Sequence, residues 1–208
     1  LPSPDLPGLY PIVDAGLCAA RGMDPVALAR ACLRGGATVI QLRVKEGSDQ
    51  DFLLLADRLR AITAEAGALF IVNDRVDIAL LARADGVHVG QEDLPVESVR
   101  RLMGPAAVIG LSTHNESQAD EALQTTASYI AVGPVFGTGT KDTGYGPRGL
   151  ELVSYAANRG KPVVAIGGMT LIRAPIVARA GASSLAVISD LLAGDPEEKV
   201  RRFIAALR

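Results

Sequence analysis

Short apolar runs rich in Val, Ile, Leu and Ala recur along the chain, and the stretches between them carry a helical spacing of apolar positions. The runs predict strands at 9–14, 38–43, 69–73, 86–90, 107–111, 129–133, 162–167 and 185–189. Each is brief and nearly continuous in apolar character, as parallel strands covered by helices require. Asp24-Pro25 reads as an N-cap followed by Pro at the first helical position. The next helix spaces Phe52, Leu55, Leu59, Ile62 and Ala66 by three or four residues and stops at Gly67. Further helices are predicted near 77–83, 96–103, 117–126, 150–158, 171–180 and 196–207. Eight β–α pairs predict an α/β chain forming a single-domain (β/α)8 TIM barrel over 9–208, behind a Pro-rich N-terminal tail at 1–8. A doubly wound open sheet would use fewer strands and carry Gly-x-Gly-x-x-Gly after the first, which this chain lacks.

Composition narrows the function. A hydrophobic share of 49% supplies a large core and excludes a disordered or fibrous chain. The net charge of −2, without a run of five like charges, offers no nucleic-acid groove or basic membrane face, so any bound anion needs a local site. Cys18 is expected in a loop and Cys32 in an apolar helix, without metal-ligand or redox spacing. No apolar run reaches the ~18 residues of a membrane span. The N-terminus is Pro-rich, not basic-then-apolar, so cytoplasm is the expected compartment. Barrels of this size often self-associate, and a homo-oligomer stands among the expected states.

In a barrel, polar residues at the C-terminal strand ends carry function. They gather there in this sequence: Gln41-Leu42-Arg43-Val44-Lys45, Asn73-Asp74-Arg75, Gly90-Gln91-Glu92-Asp93, Ser112-Thr113-His114, Gly167-Gly168 and Ile188-Ser189. Asp74 and Asp93 end neighbouring strands, so their carboxylates are placed to share a hard cation. An oxygen set without a His/Cys cluster favours Mg2+ over zinc. With Arg43, Lys45 and Lys141 they outline a diphosphate site; the competing reading makes Asp74 a helix cap and Asp93 a turn residue. Gly167-Gly168 with Ile188-Ser189 falls where barrels bind phosphate, after strands seven and eight. The segment 137–149 holds five glycines, Thr138, Thr140 and Lys141, a composition suited to a lid or to a plain flexible connection. His88 reads as a hydrogen-bonded core histidine more readily than as a base, and the role of His114 stays open. Arg75 and Arg148 are consistent with surface pairing alone. No motif argues for a covalent nucleophile.

Taken in order, these strand-end motifs resemble the thiamine-phosphate synthase family. The set includes Ala84-Asp85-Gly86-Val87-His88-Val89-Gly90-Gln91-Glu92-Asp93-Leu94-Pro95, Gly110-Leu111-Ser112-Thr113-His114, Tyr129 to Phe136, Thr138-Gly139-Thr140-Lys141 and Ala165-Ile166-Gly167-Gly168. The resemblance implies a transferase that condenses hydroxymethylpyrimidine diphosphate with a thiazole phosphate, plain or carboxylated, releasing pyrophosphate. It implies that Gln41, Arg43, Lys45, Asn73, Ser112 and Lys141 hold the pyrimidine diphosphate, with Arg43, Lys45, Ser112 and Lys141 serving catalysis. It assigns Asp74 and Asp93 to Mg2+, and Thr138, Gly139, Thr140, Gly168, Ile188 and Ser189 to the thiazole phosphate. The implied mechanism is dissociative: pyrophosphate departs before the thiazole nitrogen attacks. Pro11 in the first strand departs from the family pattern, as does the ending Gly146-Pro147-Arg148-Gly149. That ending is similar to the thiazole tautomerase of the same barrel family, a rival reading. Against it stand Lys45, Asn73-Asp74 and Gln91-Glu92-Asp93, together with Pro134 where the tautomerase carries a catalytic His. A non-catalytic barrel that binds a phosphorylated ligand is the rival from another class.

Overall fold

The computed structural model describes residues 6, 8–139 and 144–207. Eight strands form a closed barrel in sequence order: β1 (Gly8–Asp14), β2 (Val39–Arg43), β3 (Leu69–Asn73), β4 (Gly86–Val89), β5 (Val108–Thr113), β6 (Tyr129–Val132), β7 (Val163–Ile166) and β8 (Ser184–Val187). All neighbours are parallel, and β1 pairs with β8 from Gly8↔Ser184 to Pro11↔Val187, which closes the ring. Around it run α1 (Ala15–Ala20), α2 (Pro25–Arg34), α3 (Asp49–Glu65), α4 (Val76–Leu81), α5 (Val96–Met103), α6 (Glu116–Gln124), α7 (Gly149–Ala156), α8 (Ala174–Arg179) and α9 (Pro196–Ala206). This is a (β/α)8 barrel, as the pattern of apolar runs predicts. Among the described residues, no helix is long and apolar enough to cross a membrane.

Local chemistry sets the boundaries. Asp24 caps α2 through its carboxylate and Pro25 opens the helix. Ser48 caps α3 by accepting from the Asp51 N–H, and Asp195 caps α9 ahead of Pro196. Several details depart from the sequence expectation. A short helix, α1, follows β1 directly, because Asp14 turns its carboxylate onto the Leu17 N–H and starts a helix in place of the expected loop. Cys18 therefore lies buried in that helix and not in a loop. Strand β5 runs on through Ser112 and Thr113. Ser189 opens a 3₁₀ turn, Ser189–Leu192, and does not end a strand. Helix α8 also starts later than 171, since Pro175 fixes its first turn.

Two apolar layers hold the fold. The larger lies between barrel and helices, with Phe52, Leu59, Phe70 and Phe203 among its members. The smaller fills the barrel interior with Tyr10, Ile12, Val39, Ile71, Val108, Tyr129, Ala131, Val164 and Ala186. Leu6, within the stretch expected as a tail, is buried in this inner cluster, and the Ser184 hydroxyl donates to its carbonyl. The interior is thus packed below and open above, the arrangement that puts polar chemistry at the C-terminal mouth.

Gly86 of β4 lies against Val108 of β5: a Cβ there would fall 1.9 Å from the Val108 carbonyl oxygen. Gly86→Ala should destabilise the fold by about 3 kcal/mol, the upper end of ordinary overpacking. Chemical denaturation with an unchanged m-value is the check.

Candidate active site

The mouth of the barrel holds a cavity of about 850 Å3, counted out to its opening. Its walls come from alternate strand positions, because successive strand side chains point to opposite faces. Tyr10 and Ile12 of β1, Gln41 and Arg43 of β2, Asn73 of β3, His88 of β4 and Ser112 of β5 all line it. Tyr129, Ala131, Val164, Ile166, Ala186 and Ile188 continue the ring with little charge. The cavity is therefore polar and basic on the β2–β5 side and apolar on the other.

Arg43 is nearly buried, its side chain 12% exposed, and is paired with Asp14. Among the described residues, its Nε has no hydrogen-bond partner, and neither has Asn73 Nδ2. Buried donors without an acceptor are costly, and two of them lining one cavity point to a ligand that supplies acceptors. Asp14 serves twice: Oδ1 caps α1 and Oδ2 takes the Arg43 guanidinium. Reading strand ends for cations and metal carboxylates missed Asp14; its signal was a lone acid at the end of the first strand.

On the rim above β2–β4, Lys45 Nζ donates to Asp74 Oδ2. Asp74 has φ 63°, a left-handed conformation that Asp adopts more readily than most residues, and its N–H donates to the His88 carbonyl at 2.7 Å. It does not cap α4, whose N-cap is Arg75, without a side-chain cap bond. Asp93 Oδ2 accepts from the Gly90 N–H at 2.7 Å, so it does close a turn, yet it also faces Asp74. Desolvation and then the Asp74 carboxylate hold the Asp93 carboxyl above its ordinary range, against the opposing pull of the Gly90 N–H and Lys45. Among the described residues, no group of three or more His, Cys, Asp or Glu converges as a metal cage. Two carboxylates that face each other suit a cation that takes its remaining ligands from water and substrate.

The opposite rim is built from glycine backbone. Gly167 and Gly168 have φ 100° and 62°. A Cβ on Gly167 would meet Pro134 at 2.6 Å, and one on Gly168 would meet the Gly137 carbonyl at 2.7 Å. Both glycines line the cavity with Thr138, Ile188 and Ser189. Arg173 donates to the Gly168 carbonyl at 2.6 Å and lies over the Phe136 ring, fixing this turn from outside. Gly139 is exposed on the following loop, and Thr140 and Lys141 lie outside the described residues.

The structure brings together Gln41, Arg43, Asn73, Ser112, Thr138, Gly168, Ile188 and Ser189 around one cavity, with Lys45, Asp74 and Asp93 on its rim. Arg75 is held by Asp77 and Asp49. Arg148 lies over the Tyr145 ring, which stacks on His114 at 4.4 Å between centroids. His114 Nδ1 is 2.6 Å from the Gly133 carbonyl, so the ring anchors the segment after β6. Burial pushes the Cys18 thiol up to about 11 and the Cys32 thiol to about 12, which keeps both out of nucleophilic chemistry at neutral pH. The strand patterning hid Tyr10 and Tyr129, whose rings read as core and whose hydroxyls reach the cavity floor.

Fold and site define a (β/α)8-barrel enzyme with its polar groups at the C-terminal mouth. The chain matches the family model described as "Thiamine monophosphate synthase" over residues 9–191, and it belongs to that family. It is 44% identical over 200 residues to a thiamine-phosphate synthase of Chloroflexus aurantiacus, covering 96% of this chain and 91% of that protein. It is 44% identical over 208 residues to the corresponding protein of Chlorobium luteolum, with 99% and 95% covered. The solved structure of a thiamine phosphate pyrophosphorylase from Pyrococcus furiosus superposes with a TM-score of 0.87 at 34% identity, over 98% of this chain and 96% of that one.

The raised Asp93 pKa carries a sign. A carboxyl that keeps its proton more tightly when folded costs stability once pH rises above its ordinary value of 3.8, and costs nothing well below it. Asp93→Asn should therefore raise Tm by ~1 °C at neutral pH, small because the side chain is exposed, and leave it unchanged near pH 3. Thermal melts of the ligand-free protein across that range are the check.

Proposed function

We propose that this enzyme condenses hydroxymethylpyrimidine diphosphate with a thiazole phosphate to give thiamine phosphate and pyrophosphate. The observation that carries the reading is the pair of buried donors, Arg43 Nε and Asn73 Nδ2, that no described residue accepts, beside the Asp74–Asp93 carboxylates and Lys45. An electron-rich diphosphate satisfies the donors, and a divalent cation on the carboxylates neutralises the acids.

Asp74 and Asp93 would hold Mg2+, whose chemistry is to offset negative charge on the departing diphosphate. Arg43 and Lys45 face the same charge, the family resemblance adds Lys141 to them, and Gln41, Asn73 and Ser112 fix the pyrimidine substrate by hydrogen bonds. The carbon–oxygen bond to pyrophosphate breaks with its electron pair leaving on oxygen, and the thiazole nitrogen then closes the carbon–nitrogen bond with its own lone pair. This sequence needs no protein nucleophile, in keeping with two inert thiols. It needs a stabilised leaving group, which preorganised cations provide, and exclusion of water from an electron-poor carbon. The apolar half of the cavity, with Val164, Ile166 and Ala186, suits the second task. Gly168, Ile188 and Ser189, with Thr138 and Gly139, would receive the thiazole phosphate through backbone and hydroxyl donors, and the family resemblance adds Thr140 to them.

Incubation with both substrates should yield thiamine phosphate and pyrophosphate in equal amounts, stop on chelation and resume with added Mg2+. Absence of product from folded protein and verified substrates would overturn the reading. Asp93→Ala should lower kcat by about 100-fold or more while the far-ultraviolet circular dichroism spectrum stays unchanged. Near-normal turnover at saturating Mg2+ would remove Asp93 from the metal site.

A further inference from the structure

Five side chains from five strands form an unbroken run of hydrogen bonds across the cavity floor. Gln41 Nε2 donates to Tyr10 Oη at 3.2 Å, and Tyr10 Oη meets Tyr129 Oη at 2.8 Å. Tyr129 Oη meets His88 Nδ1 at 3.0 Å, and His88 Nε2 meets Ser112 Oγ at 2.9 Å. The backbone is shaped around this run: a Cβ on Gly110 would fall 2.3 Å from both His88 Nδ1 and Tyr129 Oη. Gln91 holds its far end by donating to the Ser112 carbonyl at 2.6 Å.

Counting protons gives the run a direction. Burial keeps both phenols protonated, with Tyr10 pushed up to about 12 and Tyr129 raised well above its ordinary 10. Tyr10 and Tyr129 are 1% and 0% exposed, so a hydroxyl proton aimed away from the run would lack an acceptor. Tyr10 accepts from the Gln41 amide and therefore gives its proton to Tyr129. Tyr129 in turn gives its proton to His88 Nδ1. A neutral imidazole that accepts at Nδ1 carries its proton on Nε2 and donates it to Ser112 Oγ. The Ser112 O–H is then left over, in a residue that lines the cavity.

We propose that Tyr10, Tyr129 and His88 are positioning residues: a one-way hydrogen-bond relay, set by the Gln41 amide, that fixes His88 as the Nε2–H tautomer and obliges the Ser112 hydroxyl to donate to an anionic substrate oxygen. The Ser112 step rests on the reading that this hydroxyl receives the diphosphate. The reverse relay, with the amide flipped, would turn the Ser112 proton back onto His88 and present a lone pair to the phosphate. Phosphate oxygens only accept, so binding favours the proposed direction.

The test reads the tautomer in the ligand-free protein, independently of turnover. The chain has two histidines, and long-range 1H–15N correlation spectra at about pH 8, where an ordinary imidazole is neutral, report both. His88 should show Nε2–H, and His114, whose Nδ1 faces the Gly133 carbonyl, should show the opposite tautomer as an internal reference. Tyr10→Phe leaves the Tyr129, His88 and Ser112 side chains in place but removes the direction. It should produce a mixture of His88 tautomers and lower kcat/KM for the pyrimidine diphosphate about tenfold, the size of one lost hydrogen bond. Nδ1–H on His88 in the unaltered protein would overturn the relay. So would an unchanged tautomer in Tyr10→Phe, even with lower activity, because that loss would be structural. A mixed tautomer with unchanged kcat/KM would overturn the role of Ser112 as obligate donor. An unaltered protein that shows the expected tautomer but makes no thiamine phosphate would sink the proposed reaction and the Ser112 step, leaving the His88 tautomer in place.

Discussion

Pairing of β8 with β1 turns eight strands into a ring, and a ring has one interior that every strand must help to fill. Alternate residues point inward, and near the N-terminal ends they are apolar, giving a plug built around Leu6, Val39, Ile71 and Val108. The same alternation, carried two to four residues further, delivers Gln41 and Arg43 from one strand and Asn73 from the next to the mouth. The closed sheet leaves no edge strand, so these groups hang from backbone whose own hydrogen bonds are met by neighbours on both sides. Rigidity of the site follows from closure of the ring.

That rigidity permits an electrostatic arrangement that an isolated peptide would relax. Lys45 answers Asp74, but Asp93 is left beside a second carboxylate with a backbone N–H as its main compensation. Asp74 is held there by a left-handed backbone conformation and by its N–H bond to His88. Arg43 and Asn73 keep buried donors that no described residue accepts. Such groups oppose folding taken alone, and the apolar layer between barrel and helices outweighs them.

Much of this was legible in the sequence because strand ends in a barrel obey a simple rule. Short apolar runs mark the eight strands, and the polar residues just beyond them mark the mouth; within those strand-end segments it was the family resemblance, not spacing, that singled out Gln41, Asn73 and Ser112, which line the cavity with Arg43. Helix α1 was not legible, since its six residues carry too little periodicity and its start depends on the Asp14 carboxylate reaching Leu17. Tyr10 and Tyr129 were hidden for a different reason. An apolar ring and a polar hydroxyl share one letter, and only the meeting of two hydroxyls across the barrel reveals which end matters. The stack of Arg148, Tyr145 and His114 joins residues more than thirty apart, between β5 and the segment before α7, and no local pattern encodes it. Composition likewise placed the glycines of 137–149 in a loop without saying that Tyr145 would anchor it.

Asp14 joins two scales of the molecule. One oxygen begins a helix and the other steadies a guanidinium, so the geometry of α1 and the aim of Arg43 are mechanically tied. A change in α1, none of whose residues lines the cavity, would thereby be felt at the Arg43 guanidinium. Anyone transplanting the β1–β2 segment into another barrel inherits both functions of this carboxylate or neither.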